Sequence, residues 1–325
     1  MDLLVIDALD ADVLAWLGAR HEVTVAPQLA EDPREFRRAI AGVRAVIVPA
    51  SVTFDAETLD FAPELCAIGR VSAGPENISL TACERRGVEV VRSATASARA
   101  EAEFTIAAML TLLRRVPVRG PSGALAGREL GGATIGLVGM PPAARTLVHL
   151  LSGFDARVIG YDPTLHANDA SWPLWRVEPA GLVDLVERAD VLCVQLDYFS
   201  RYRGLFGSRL LPCCKRDQVI VSTAHSGLFD EAALARVLRS GRVAAAWLDS
   251  VEPGLLERGR PLHGIDTLQV TPRVACTTVQ SRQRSAWTVA RRIDELLGGD
   301  PSSDPAFSST VPGALADLAN ESWFR

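Results

Sequence analysis

The chain has 325 residues, 48% hydrophobic and 22% charged, with a net charge of -5, the balance of a globular protein of about two domains. That charge gives no basic footprint for nucleic acid or an anionic membrane surface, and no apolar run is long enough to span a bilayer. Six scattered cysteines make no C-x-x-C pair and no zinc-spaced cluster with histidine, and Lys215 is the only lysine; a disulfide framework, a metal site and a P-loop are therefore not expected, and reduced thiols in a cytoplasmic protein are.

Residues 1–97 alternate strand and helix patterns. Leu3–Ile6, Val23–Val25, Val46–Val48, Leu65–Ile68 and Val88–Val91 read as strands. Asp10–Leu17, Pro33–Ile40 and Leu80–Arg86 read as helices, the first and last stopped by Gly18 and Gly87. Strands spaced by helices imply a parallel sheet covered on both faces. A long helix, Arg99–Arg115, follows, with Phe104, Ile106, Met109, Leu110, Leu112 and Leu113 as its apolar stripe, and it ends before Pro117.

After a glycine-rich loop, Thr134–Pro163 reads as strand, turn, helix and strand, closed by an acid. Ile135–Val138 is the first strand, Leu147, Leu150 and Leu151 mark the helix, and Val158–Ile159 leads to Asp162. This is the opening of a dinucleotide-binding βαβ unit, with the acid about 20 residues on, within reach of a ribose hydroxyl. Gly139, Ala143, Ala144 and Asp162 are its candidate cofactor contacts, and an acid at that place favours NAD over NADP. The turn Gly139-Met140-Pro141-Pro142-Ala143-Ala144 keeps only the first and last positions of G-x-G-x-x-G/A. Pro141 puts a ring where a glycine normally admits the pyrophosphate, and Pro142 has no N–H to offer it. Weak or absent NAD binding is the expectation.

Strands recur at Val191–Leu196, Val219–Val221, Val243–Leu248 and Leu268–Val270, and a second long helix, Ser281–Leu297, stops at Gly298-Gly299. A short helix, Leu315–Ala319, is expected in the tail. His149 reads as structural, His21, His166 and His263 as residues of loops or element ends with no partner pattern, and Trp172, Trp175 and Trp323 as packing residues. The fold class is α/β: two doubly wound, parallel-sheet, Rossmann-like domains with a cleft between them. The last helix returns to the first lobe, so residues 1–98 with 289–325 form a flavodoxin-like substrate lobe and residues 99–288 the dinucleotide-binding lobe.

Several stretches together resemble the D-isomer-specific 2-hydroxyacid dehydrogenases, over about residues 40 to 290. They are Ala73-Gly74-Pro75-Glu76-Asn77-Ile78, the helix around Ala100–Leu113, the βαβ unit, Ser222-Thr223-Ala224-His225-Ser226-Gly227-Leu228, Leu248-Asp249-Ser250-Val251-Glu252-Pro253 and Thr271-Pro272-Arg273-Val274. The resemblance implies substrate contacts at Ser72, Ala73 and Gly74, where Ser72 replaces the usual glycine, and cofactor contacts at Thr223 and Asp249. It also implies an arginine, a histidine and a glutamate as catalytic groups, and all three positions are changed here. His225 stands at the arginine position, Arg273 at the histidine position and Gly254 at the glutamate position. The cation and the imidazole have thus exchanged places. Arg273 is expected to grip an anionic or carbonyl group and His225 to move protons, with Glu252 or Glu257 as an acid that would orient the ring, neither of which the sequence places beside it. The expected activity is hydride transfer between NAD(H) and a small carbonyl or hydroxy compound, in a homodimer. The alternatives are a non-redox acid–base enzyme (dehydration, isomerisation or cyclisation) and a non-catalytic dinucleotide-sensing relative.

Overall fold

A computed structural model of the chain describes residues 1–71, 77–115, 118–119 and 125–298. The substrate-loop residues Ser72, Ala73 and Gly74 and the tail helix with Trp323 lie outside the described residues. The first sheet holds β1 (Leu3–Val5), β2 (Val23–Val25), β3 (Ala45–Ile47), β4 (Ala67–Arg70) and β5 (Glu89–Arg92), in the order β2-β1-β3-β4-β5. Helices α1 (Ala11–Gly18), α2 (Pro33–Ala39), α3 (Ala56–Asp60) and α4 (Leu80–Arg85) alternate with them.

Helix α5 (Ala94–Arg115) then leads, past the short antiparallel pair β6 (Val118–Arg119) and β7 (Leu125–Ala126), to the second sheet. Its strands are β8 (Thr134–Val138), β9 (Arg157–Tyr161), β10 (Glu178–Pro179), β11 (Val191–Val194), β12 (Gln218–His225), β13 (Val243–Ser250) and β14 (Leu268–Val270). Their order is β10-β9-β8-β11-β12-β13-β14, every pairing parallel. Helices α6 (Pro142–Leu151), α7 (Ser171–Trp175), α8 (Leu182–Arg188), α9 (Glu231–Arg239) and α10 (Val279–Leu297) complete the described chain. Both sheets are doubly wound, and the strand order of the second reverses between β8 and β11, the place where such sheets bind ligands.

The apolar runs form these strands because both faces are covered. In the second sheet Val138, Leu192 and Val194 enter one core with Leu228 and Leu234. Ile135, Leu137, Cys193 and Val221 enter the other, with Met109 and Leu112 of α5 and Leu147 of α6, as the period of two requires. Helix α10 lies on the first sheet. Its Val289, Ala290 and Ile293 share a core with Leu3, Val5, Val13 and Leu17. The His21 ring, without a partner in the sequence pattern, sits 2.7 Å from the Asp294 carboxylate and ties the end of α1 to α10. Trp172 is buried and meets Trp175 edge-on at 5.9 Å, so both are packing residues. No described helix is long and apolar enough to cross a membrane.

Gly139 fixes how the βαβ unit meets its neighbour. It ends β8 with φ +92°, and a Cβ there would stand 2.7 Å from the backbone N and Cα of Leu196. The left-handed backbone and the overlap each cost about 1–3 kcal/mol in a residue with a side chain. Gly139→Ala should therefore lower the unfolding free energy by about 3 kcal/mol, read by urea denaturation. An unchanged midpoint would show that the loop after β11 yields freely.

Candidate active site

The C-terminal ends of β12 and β13 meet the loop after β14 at one cleft of about 870 Å3, open water included. His225 closes β12 and stands in register with Ser250, which closes β13. Arg273 reaches the same point from the next loop: its Nε–H and a terminal N–H donate to Ser250 Oγ at 3.2 and 3.0 Å. Imidazole and guanidinium both line this cleft.

Each group is held locally. His225 Nδ1 accepts from the Gly227 N–H at 3.1 Å. A neutral ring bound this way carries its proton on Nε2 and offers it as a donor. The Tyr198 ring stacks on the imidazole at 4.5 Å. Glu252, an acid the sequence makes available to orient the ring, instead accepts from Arg203 at 3.0 Å. Glu257 lies over Gly254. A backbone N–H and an aromatic face both bear on the ring.

Arg273 has a left-handed backbone, φ +57°, unusual for a long side chain. Asp249 accounts for it. Its carboxylate is 1% exposed and accepts from Thr271 Oγ1–H at 2.6 Å, Val274 N–H at 2.8 Å and Ala275 N–H at 3.0 Å. Those bonds wrap the 271–275 turn around one acid, and Arg273 projects from it. Trp247 Nε1–H donates to Thr271 Oγ1 at 3.0 Å and extends the network into the sheet. Asp249 borders the cleft, but its acceptors serve its own loop.

The candidate cofactor residues divide. Ala143 and Thr223 line the cleft beside Pro141 and Pro142. Ala144 is fully buried and has only its N–H to offer. Asp162, just past the end of β9, accepts from Met140 N–H at 2.8 Å and from the Thr164 N–H and hydroxyl at 2.8 and 2.6 Å. The turn has thus lost one phosphate donor to Pro142 and engages another, that of Met140, with its own acid. Ala143 and Ala144 supply the remaining N–H groups of the first helical turn. Burial lowers the pKa of Arg145, and the nearby Asp162 charge opposes that shift.

Sequence reasoning missed Glu101, which enters the cleft from α5. Burial pushes its carboxyl up to about 7; the Ser97 bond opposes the rise, the charges of Asp249 and Asp197 add to it, and Arg273 opposes it. No local pattern marks it, because those neighbours come from distant parts of the chain. The thiols are unremarkable: all six cysteines are free, and burial pushes Cys214 up to about 12 and raises Cys193 further.

Two doubly wound sheets with a charged cleft at the strand ends define a protein of the two-lobed, dinucleotide-binding α/β class. Residues 107–275 match the family described as D-isomer specific 2-hydroxyacid dehydrogenase, NAD binding domain. A (S)-sulfolactate dehydrogenase of Chromohalobacter salexigens is 31% identical over 306 residues, 91% of this chain and 98% of that protein. A D-3-phosphoglycerate dehydrogenase of Mycobacterium bovis is 30% identical over 308 residues, 92% of this chain but only 57% of that longer protein. A crystal structure of a Thermus thermophilus protein superposes with a TM-score of 0.75 at 26% identity, over 93% of this chain and 98% of that one. The chain belongs to the D-isomer specific 2-hydroxyacid dehydrogenase family, and at family level it is an oxidoreductase-type protein.

Proposed function

We propose that the chain moves hydride between NAD(H) and a small carbonyl or hydroxy compound bearing an anionic group, through a rearranged site. One juxtaposition carries the reading: His225 and Arg273 line one cleft at the ligand-binding edge of the sheet, and Arg273 is bonded to Ser250, the backbone partner of His225. Arg273 grips the anionic group of the substrate, a task suited to its planar donor fork. His225 donates its Nε2–H to the carbonyl oxygen and polarises it, a role that fits an Nδ1 already accepting from Gly227. In this role the ring is a hydrogen-bond donor and not the carrier of the transferred proton. Ser72, Ala73 and Gly74 stay assigned to substrate binding by the resemblance alone.

The residues present fit a nicotinamide dinucleotide with a reduced grip on its phosphates. Gly139 turns the chain at the β8–β11 reversal; Ala143, with the N–H of Ala144 behind it, would hold the pyrophosphate, Asp162 would serve the ribose and Thr223 would border the reacting end. When bound, the cofactor supplies the hydride. Asp249 acts by fixing the Arg273 loop. Six free thiols support a reducing, cytoplasmic setting, and the reading includes a homodimer, which sedimentation would check.

NADH titration followed by fluorescence tests it. Saturable but weak binding is expected, and Pro142→Ala, which returns one N–H to the helix start, should tighten it about fivefold, about 1 kcal/mol. No signal at millimolar NADH for either protein would end the reading. Turnover without any nicotinamide would favour the non-redox alternative.

A further inference from the structure

Three carboxyl groups border the cleft: Glu101, Asp197 and Asp249. Asp249 is committed to its loop, and Asp197 is exposed to solvent. Glu101 is neither. It is half-buried on α5, a helix packed against β12 and β13, whose ends carry His225 and Asp249. Its Oε1 accepts from Ser97 Oγ–H, one turn back, at 2.9 Å. That bond fixes the carboxyl in one orientation at the cleft wall.

We propose that Glu101 is the group that delivers a proton to the substrate oxygen in this cleft, and takes it back in the reverse direction. The inference rests on the hydride-transfer reading above and completes it. In the reading above Arg273 holds the anionic group and His225 donates a hydrogen bond to the carbonyl oxygen, so the transferred proton is assigned to another group. Glu101 supplies it, because its burial in the cleft wall, with the Asp249 and Asp197 charges adding to it, favours the protonated carboxyl. In the reduction the carbonyl carbon gains hydride from the reduced nicotinamide, and the C=O π bond breaks. The oxygen takes the Glu101 proton and becomes a hydroxyl, while the nicotinamide is oxidised. Glu101 remains as a carboxylate facing Arg273 and regains a proton from water through the open cleft.

Titratable and charged groups from several elements share the cleft with Glu101, while α6, also packed on α5, carries Arg145 and His149, which are not among the cleft-lining residues. The cleft groups are Asp249 from β13, Asp197 and Tyr198 from the loop after β11, and Arg273 and Cys276 from the segment after β14, with His225 from β12 and Arg92 from β5. Arg284 of α10 is turned to the base of α5, where its Nε–H donates to the Ala96 carbonyl. The ordinary carboxyl value of 4.5 is raised to about 7 in the folded protein. Folding therefore takes up a proton between these values, and the native state is favoured on the acid side. That advantage is lost as pH rises through the same window.

The test compares wild type with E101Q and E101D. Infrared titration of the cofactor-free protein should show a protonated-carboxyl band that fades with a midpoint near 7, absent in E101Q and present in E101D. E101Q should melt no lower than wild type at pH 8, since it removes an unfavourable charge, and this checks folding. With glyoxylate and NADH, E101Q should lose about 100-fold or more in kcat and lose the fall in activity above neutral pH, while NADH binds as to wild type. E101D should recover part of the rate. A band that still titrates in E101Q, or an E101Q rate and pH profile equal to wild type, overturns the role of Glu101. Failure of wild type to bind NADH overturns the underlying reading, and with it this one.

Discussion

Arg273→Ala should reduce kcat/KM by about 1,000-fold, close to 4 kcal/mol of transition-state stabilisation, while leaving the melting temperature nearly unchanged. The substitution removes the guanidinium and leaves the backbone beneath it in place. The guanidinium donates to Ser250 Oγ, and the turn beneath it is held by Asp249 through backbone groups that survive the substitution. Alanine at φ +57° is no worse placed than arginine. The loss is therefore one of substrate grip. Arg273→Lys keeps the charge but not the fork, and should recover only a minor part of the rate. Steady-state kinetics with glyoxylate and thermal melts of the same samples check both halves. An Arg273→Ala rate within about threefold of wild type, on the scale of a weak surface contact, would remove Arg273 from substrate binding.

The scaffold was legible because a parallel sheet covered on both faces writes itself as short apolar runs. Val191–Val194 and Leu268–Val270 are strands where the sequence puts them. The ends of elements were harder. The apolar stripe places the start of α5 at Arg99, yet the helix begins at Ala94. Ser97 and Ala98 are buried there by tertiary contact, and Arg284 donates to the Ala96 carbonyl; no local periodicity encodes that. Likewise β12 runs past its apolar core to His225, carried by pairing with β13.

At the cleft, His225 and Arg273 were readable from their positions just beyond strand runs, where doubly wound sheets present side chains. What each neighbour does was not. The segment Leu248-Asp249-Ser250 does not say whether its carboxylate faces a ligand or its own loop; only the path of residues 271–275 decides that. Glu252 and Glu257 are the acids the sequence offers to His225, but Arg203 engages the first and the second lies over Gly254. Glu101 looks like one more acid of a helix until Asp197 and Asp249 arrive from later strands. Proximity across the sheet, and not spacing along the chain, gives these acids their different chemistry.

The same logic makes Asp249→Ala the counterpart of the arginine substitution, with stability and activity falling together. The Asp249 carboxylate is almost fully enclosed and accepts two backbone N–H bonds and the Thr271 hydroxyl. Removing it leaves three donors in a site that water barely reaches, each worth about 1–3 kcal/mol when unsatisfied. Relief of a buried charge offsets part of that, so the net loss should be about 4 kcal/mol. Without the acid the 271–275 turn loses the three bonds that wrap it around the carboxylate, and kcat/KM should fall at least as far as in Arg273→Ala. Asp249→Asn keeps one acceptor oxygen but turns an amide donor toward another donor, so about 2 kcal/mol is expected there. Guanidinium denaturation of the cofactor-free proteins measures these losses without reference to activity. If Asp249→Ala unfolds at the wild-type midpoint but fails to bind NADH, the carboxylate serves the cofactor and not the loop, and the account of how Arg273 is held is wrong.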